Sequence, residues 1–283
     1  MTPAVDLYEA LKALLEQVPD DMATTSLELA RALGDRHAAP TVTGMLGEEE
    51  LAQHAQKVVD DPHLGATIFN DFTTDEPLRK LREIQKRVAK KIVTEDSFGE
   101  LELYAGADAS YRGSDATAAC VVVDGDLDVR ETSFESARVR FPYIPGYLMF
   151  REAPVIVGAA EKTSGFDVLI VNGHGVAHPR GCGLASCVGL KLDMPTIGVA
   201  GRRLVGDLGP EKDGWTPIIS EEKEVSTRIS RKGRSSIFVS TGHRISLETS
   251  IDIVRKMTLE GRLPEPLRLA HQEARRRSRG NTR

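Results

Sequence analysis

Apolar positions near the start of the chain recur at helical spacing. Leu7, Leu11, Leu14, Leu15 and Val18 share one face of a helix over 5–18. A second helix is expected to run to Leu33, capped by Thr25 or Ser26 and closed by Gly34. A third is expected over about 38–46, which gives the layout of a helix-turn-helix or winged-helix module. From Pro77 the texture changes, and PLRKLREIQKRVAKKIV predicts a basic amphipathic helix. Beyond it the period drops to two. Leu101, Leu103, Ala105 and Ala107 alternate with Tyr104, Gly106 and Asp108, which predicts a strand. A second strand over 117–124 turns at Asp124-Gly125 into a third over 127–134. A helix near 147–163 precedes the continuous apolar run 167–172, the mark of a central parallel strand. A helix near 183–192, strands over 196–200 and 236–241 and a helix over 245–261 complete the order. This order predicts a mixed α/β sheet flanked by helices, ribonuclease H-like, over 69–267. A small helical, winged-helix-like domain over 1–68 precedes it.

Charge supports the division. Residues 1–80 carry 6 basic and 15 acidic side chains, whereas 81–283 carry 31 and 27. The last sixteen residues hold six arginines against Glu273 alone, so 268–283 is expected to be a flexible basic tail. A basic second part after an acidic first part suggests a polyanionic partner for the second. No apolar run reaches the roughly 18 residues a membrane helix needs. Three cysteines without a CxxC pair argue against a disulfide framework and for a reducing cytoplasm.

The candidate chemistry sits where two strands end. Asp108 projects from the first strand, and Asn172 closes the parallel strand expected beside it. The carboxyl edge of such strands, where the chain reverses its order, is where open sheets bind ligands. Phosphodiester hydrolysis needs acidic groups there to hold Mg²⁺, which lowers the pKa of a bound water and neutralises phosphate charge. Glu152, early in the following helix, supplies a second carboxylate, and His243, at a strand end, a third ligand or a proton relay.

The stretches AGADASY with Asp108, PYIPGYLMFREAP (142–154), NGHGVAHPRGCGLASCVGL (172–190), PTIGVAGRRLVG (195–206), TGHRIS (241–246) and GRLPEP (261–266) resemble the endonuclease V family. The resemblance covers about 70–265. It implies a Mg²⁺- or Mn²⁺-dependent nuclease that repairs deaminated bases, cutting one DNA strand at the second phosphodiester 3′ of hypoxanthine; some members act on inosine in RNA. It further implies that Asp108, Glu152, Asn172 and His243 serve the metal. It makes Pro142, Tyr143, Ile144 and Pro145 a wedge that enters the duplex beside the lesion. Gly173 and Gly175 would then let backbone amides approach the flipped base, with His178 beside that pocket. The chain departs from the family pattern at Asn172, where Asp is usual, at Gly201, where Lys is usual, at His174 in place of Gln and at Cys187 in place of His. The loss of charge predicts a slow enzyme; His174 as a softer ligand would favour Mn²⁺. A binding protein for damaged nucleic acid that does not cleave is the alternative. The stretch ATTSLELARALGDRHAAPTVTGML resembles the DNA-binding half of O6-alkylguanine-DNA alkyltransferases. The Pro-Cys-His-Arg motif of that family is absent, and no cysteine precedes residue 120.

Overall fold

A computed structural model describes residues 5–59, 67–212, 214–230 and 233–280. The chain divides into two units, residues 1–84 with 140–147, and 85–139 with 148–283. The division falls at Ile84–Gln85, inside a helix, and not at 68–69 as the order of elements suggested.

In the first unit, α1 (Leu7–Leu15) buries Leu7, Leu11, Leu14 and Leu15, as their spacing requires. Thr25 caps α2 (Ser26–Ala32) by accepting from the Glu28 amide at 3.1 Å. Next come α3 (Ala39–Leu46) and α4 (Pro77–Ala89), which begins in this unit and ends in the second. Residues 140–147 belong here for a chemical reason. Arg140 pairs with Asp6 and Glu50 at 3.1 and 3.0 Å. Thr41 Oγ1 donates to the Tyr143 carbonyl at 2.9 Å, and the buried Tyr147 hydroxyl donates to Asp35 at 2.6 Å.

The second unit is built on one sheet, nine strands wide among the described residues, in the order β3-β2-β1-β4-β5-β9-β8-β7-β6. A meander of β1 (Tyr104–Arg112), β2 (Asp115–Val123) and β3 (Val129–Arg138) leads through α5 (Leu148–Ala160) to β4 (Val168–Asn172), which lies parallel to β1. After α6 (Leu184–Leu192) the strand β5 (Thr196–Ala200) adds parallel to β4. The strands β6 (Asp207–Leu208), β7 (Trp215–Ser220), β8 (Lys223–Ile229) and β9 (Ile237–His243) add antiparallel. The helices α7 (Leu247–Lys256) and α8 (Glu265–Ser278) close the unit. This is the ribonuclease H-like sheet with flanking helices that the periodicity predicts.

Register shows which helix covers which face. Ala107, Cys120 and Ser133 lie opposite one another across β1, β2 and β3, and Ser133 Oγ donates to the Ala159 carbonyl of α5. Gly106 and Asp108 have the other parity and face α8. A β-carbon at Gly106 would lie 2.2 Å from the Pro266 carbonyl carbon, so only glycine lets α8 come this close. On this face Val121, Val168, Ile197, Val199, Ile251, Val254, Leu267 and Ala270 form the core.

Residues 265–278, expected to lie largely in a flexible tail, are therefore a docked helix. Leu267, Ala270 and Ala274 of α8 are buried while its arginines face solvent. The strands β6 to β8 were not expected either.

Candidate active site

The end of β4 lies beside Asp108 in the middle of β1, because α5 carries the chain back past β1 to start β4 on its far side. Asp108 is 4% exposed, and both its oxygens are engaged. Asn172 Nδ2 donates to Oδ1 at 3.0 Å, and His271 Nδ1 lies 2.6 Å from Oδ2. A carboxylate oxygen accepts, so the Nδ1–H of His271 is the donor, on a ring that is 39% exposed. His271 was not anticipated. Its helix carries Leu267 onto Gly106, and one turn further on, four residues later, places His271 at Asp108.

Glu152 occupies the first turns of α5, at the same edge of the sheet. Its carboxyl is pushed up to about 8, first by burial and then by the charge of Asp108, against a smaller opposing effect of Arg151. Tyr111 lies in the same environment; burial and then Glu152 raise its hydroxyl, and the Arg151 guanidinium packs 4.1 Å from the ring centroid.

His243 is not part of this group. It pairs with Thr196, which is level with Leu169 of β4 and, through it, with Ala105 of β1. That places His243 about three residues back along the strands, roughly 10 Å, and three strands across, roughly 14 Å. The reason is topological: β9 runs antiparallel to β5, so its last residue lies at the opposite edge. There His243 is 2% exposed, and Nδ1 accepts from the Val93 amide at 3.2 Å. Burial, only partly countered by Asp193, lowers its pKa.

The glycines of the β4–α6 loop serve the protein's own backbone. A β-carbon at Gly175 would fall 1.8 Å from the Thr241 carbonyl oxygen. The Gly173 amide donates to Val199 and the Gly175 amide to Ser240 Oγ, both at 2.9 Å, so neither N–H is left to read a base. His178 is buried and its Nδ1 accepts from the Arg180 amide, which closes a turn. His174 Nδ1 is buried without a partner, and burial pushes the ring down to about 4, against a bond to the Arg202 backbone, so it is neutral at pH 7. A β-carbon at Gly201 would lie 2.3 Å from Arg262 Nη2. The cation filling that space is Arg262, not the neighbouring Arg202. The thiols of Cys120, Cys182 and Cys187 are free, buried and raised by that burial.

The segment 142–145 divides by exposure. Ile144, Pro145, Gly146 and Tyr147 form a turn closed by the Tyr147 amide on the Ile144 carbonyl at 3.0 Å, with Gly146 at φ +83°. Proline second and a left-handed glycine third are the type II pattern. Tyr143 is 61% exposed and Pro145 is exposed, but Pro142 and Ile144 are buried and present no surface to a duplex.

Comparison with known proteins settles the family. The endonuclease V family model matches residues 86–272, the stretch that carries Asp108, Glu152, Asn172 and His271. The chain belongs to the endonuclease V family. Endonuclease V of Ignicoccus hospitalis is 40% identical over 200 residues, covering 70% of this chain and 93% of that protein. Among solved structures, endonuclease V of Streptomyces avermitilis superposes with a TM-score of 0.66 at 30% identity, over 71% of this chain and 92% of that one. Endonuclease V of Ciona intestinalis, in complex with a 24mer DNA containing an inosine followed by a ribo-adenosine, superposes with a TM-score of 0.65 at 26% identity, over 72% and 99%. As a member, the chain is a nuclease of the endonuclease V type.

Proposed function

We propose that this nuclease cuts DNA containing deaminated purines, inosine above all, and that it depends on a divalent metal. The observation that carries the reading is the carboxylate pair, with Glu152 held protonated beside Asp108. Among the described residues no three His, Cys, Asp or Glu side chains gather closely enough to hold a metal. Mg²⁺ does not require three. It is usually held by one or two carboxylates, with waters and substrate phosphate completing its shell. Asp108 and Glu152 fit that donor set, with Mn²⁺ as the other candidate. When bound, the ion would make a coordinated water acidic and offset charge on the phosphate.

The chain's own residues do the rest. The Nδ1–H of His271 orients Asp108, and its half-buried ring stands at the rim of the site. Asn172 orients the other carboxylate oxygen but adds no charge. A missing charge in such a site is worth about 10²–10³ in rate, so slow turnover is expected. Tyr143 and Pro145, exposed on the proline-glycine turn, are the part of 142–145 that would insert beside an extruded base. Buried free thiols fit a reducing, cytoplasmic setting.

A non-cleaving reader of damaged DNA has one observation in its favour: the Asn172 amide occupies the Asp108 oxygen that would otherwise face a cation. Nicking and binding of inosine-containing DNA, measured together in Mg²⁺ and in Mn²⁺ for the wild type and Asp108→Ala, separate the two readings. Nicking lost in the variant supports the enzyme. Inosine-dependent binding with no nicking in either metal supports the reader. Inosine in RNA substituted for the DNA tests the second substrate.

A further inference from the structure

The arginines of α8 fall into two groups. Three have partners: Arg268 with Glu265, Arg276 with Glu273 at 2.6 Å, and Arg277 stacked 4.5 Å from the Phe134 ring centroid. Arg275 and Arg279 are exposed and have no acidic partner among the described residues. Their spacing from His271 is four and eight residues, which keeps all three within about 80° of arc on the helix.

This stripe starts at the carboxylate site and leads away from it. Leu267 is docked at Gly106, His271 at Asp108 and Ser278 at Ser110, the last by a hydroxyl pair at 2.9 Å. The helix therefore runs beside β1 toward its end. Arg112, the last residue of β1, brings a guanidinium nitrogen within 3.9 Å of where a β-carbon at Gly280 would lie. An open groove of about 470 Å³ is lined by His271, Gln272, Arg275, Arg276 and Arg279. From His271 to Arg279 the helix advances about 12 Å.

Unpaired guanidiniums in an open groove that shares His271 with the carboxylate site match one chemistry, successive phosphates of a single backbone. We propose that Arg275 and Arg279 bind backbone phosphates of the nucleic acid held at Asp108, with Arg112 at the far end of the track, and that these contacts are independent of base identity. This rests on the reading of the site as one that acts on nucleic acid. It adds a phosphate track on α8 to that reading.

The test is the salt dependence of affinity. Dissociation constants of the wild type, Arg275→Ala/Arg279→Ala and Arg275→Lys/Arg279→Lys are measured in metal-free buffer across a salt series, with inosine-containing and matched inosine-free duplexes. Each lost phosphate contact lowers the slope of log K against log salt by about 0.9 on B-DNA, so the alanine pair is expected to lose about 1.8. The loss should be equal on both duplexes, the lysine pair should recover most of it, and thermal unfolding should be unchanged. A wild-type slope retained in the alanine pair overturns the proposal. So does a slope change on the inosine duplex alone, which would assign these residues to lesion reading. Wild-type binding that ignores inosine while the alanine pair loses its slope would instead sink the deaminated-base reading and leave the phosphate track standing. No wild-type binding to either duplex would remove both.

Discussion

Glu152 carries a pH signature. Its ordinary carboxyl value is 4.5, and in the folded chain it is pushed up to about 8. Between those values the folded chain holds a proton that the unfolded chain has released. The stabilisation is full below about 4.5 and is lost as pH rises through about 8. Glu152→Gln should flatten that part of the stability–pH curve of the metal-free protein. Because a metal must displace the same proton, Mg²⁺ affinity should rise by close to tenfold per pH unit below 8. Titration calorimetry showing the same affinity at pH 6 and 8 would rule out Glu152 as a ligand. Asn172 makes a second residue-scale test. Asn172→Asp places a carboxylate against Asp108, where the amide now donates at 3.0 Å. Its melting temperature should fall in chelator and recover in Mg²⁺, and its nicking rate should rise by about 10²–10³. Equal melting temperatures with and without metal would contradict that. Adding Gly201→Lys would also displace Arg262, which a flexible guanidinium can accommodate. By contrast, any side chain at Gly175 would collide with the backbone of β9.

At the scale of elements, legibility followed the strength of each pattern. The apolar run of β4 was readable because branched side chains bury both of its faces, whereas β1, mostly alanine and glycine up to Asp108, was readable only by its period of two. The hairpin between β7 and β8 turns on Glu221 and Glu222, at φ +50° and +63°. Turns of that hand usually announce themselves by Asn-Gly or Asp-Gly, and this one does not. The apolar stripe of α8 is one leucine and two alanines among arginines, so it resembled a solvated tail. Missing that helix concealed His271, and the TGHRIS motif then drew the histidine role to His243, which the antiparallel run of β9 takes to the other edge. The docking of α8 gives its own test. Gly106→Ala would force Pro266 and Leu267 off the sheet, so activity should collapse together with a loss of several °C in melting temperature. An active, equally stable Gly106→Ala protein would mean that α8 does not need this close approach.

At the scale of the molecule, residues 140–147 are remote in sequence from the unit that holds them. Asp35, 6% exposed and accepting from Tyr147, is the buried anchor of that segment. Asp35→Ala takes from the buried Tyr147 hydroxyl its short acceptor, leaving the Leu78 carbonyl at 3.5 Å, and should cost about 1–3 kcal/mol, read by denaturant unfolding. Proteolysis should then open the 140–147 segment first; an unchanged cleavage pattern would contradict the anchoring. The centre of the second unit admits the most direct test, single-turnover nicking of inosine-containing DNA by His271→Ala and His243→Ala side by side. His271→Ala should lose about 10²–10³ in rate with its fold intact. His243→Ala should keep its rate per folded molecule and lose stability, since the Val93 amide is left without its acceptor. The reverse outcome, a fast His271→Ala and a well-folded but inert His243→Ala, would move the cutting centre to the other edge of the sheet.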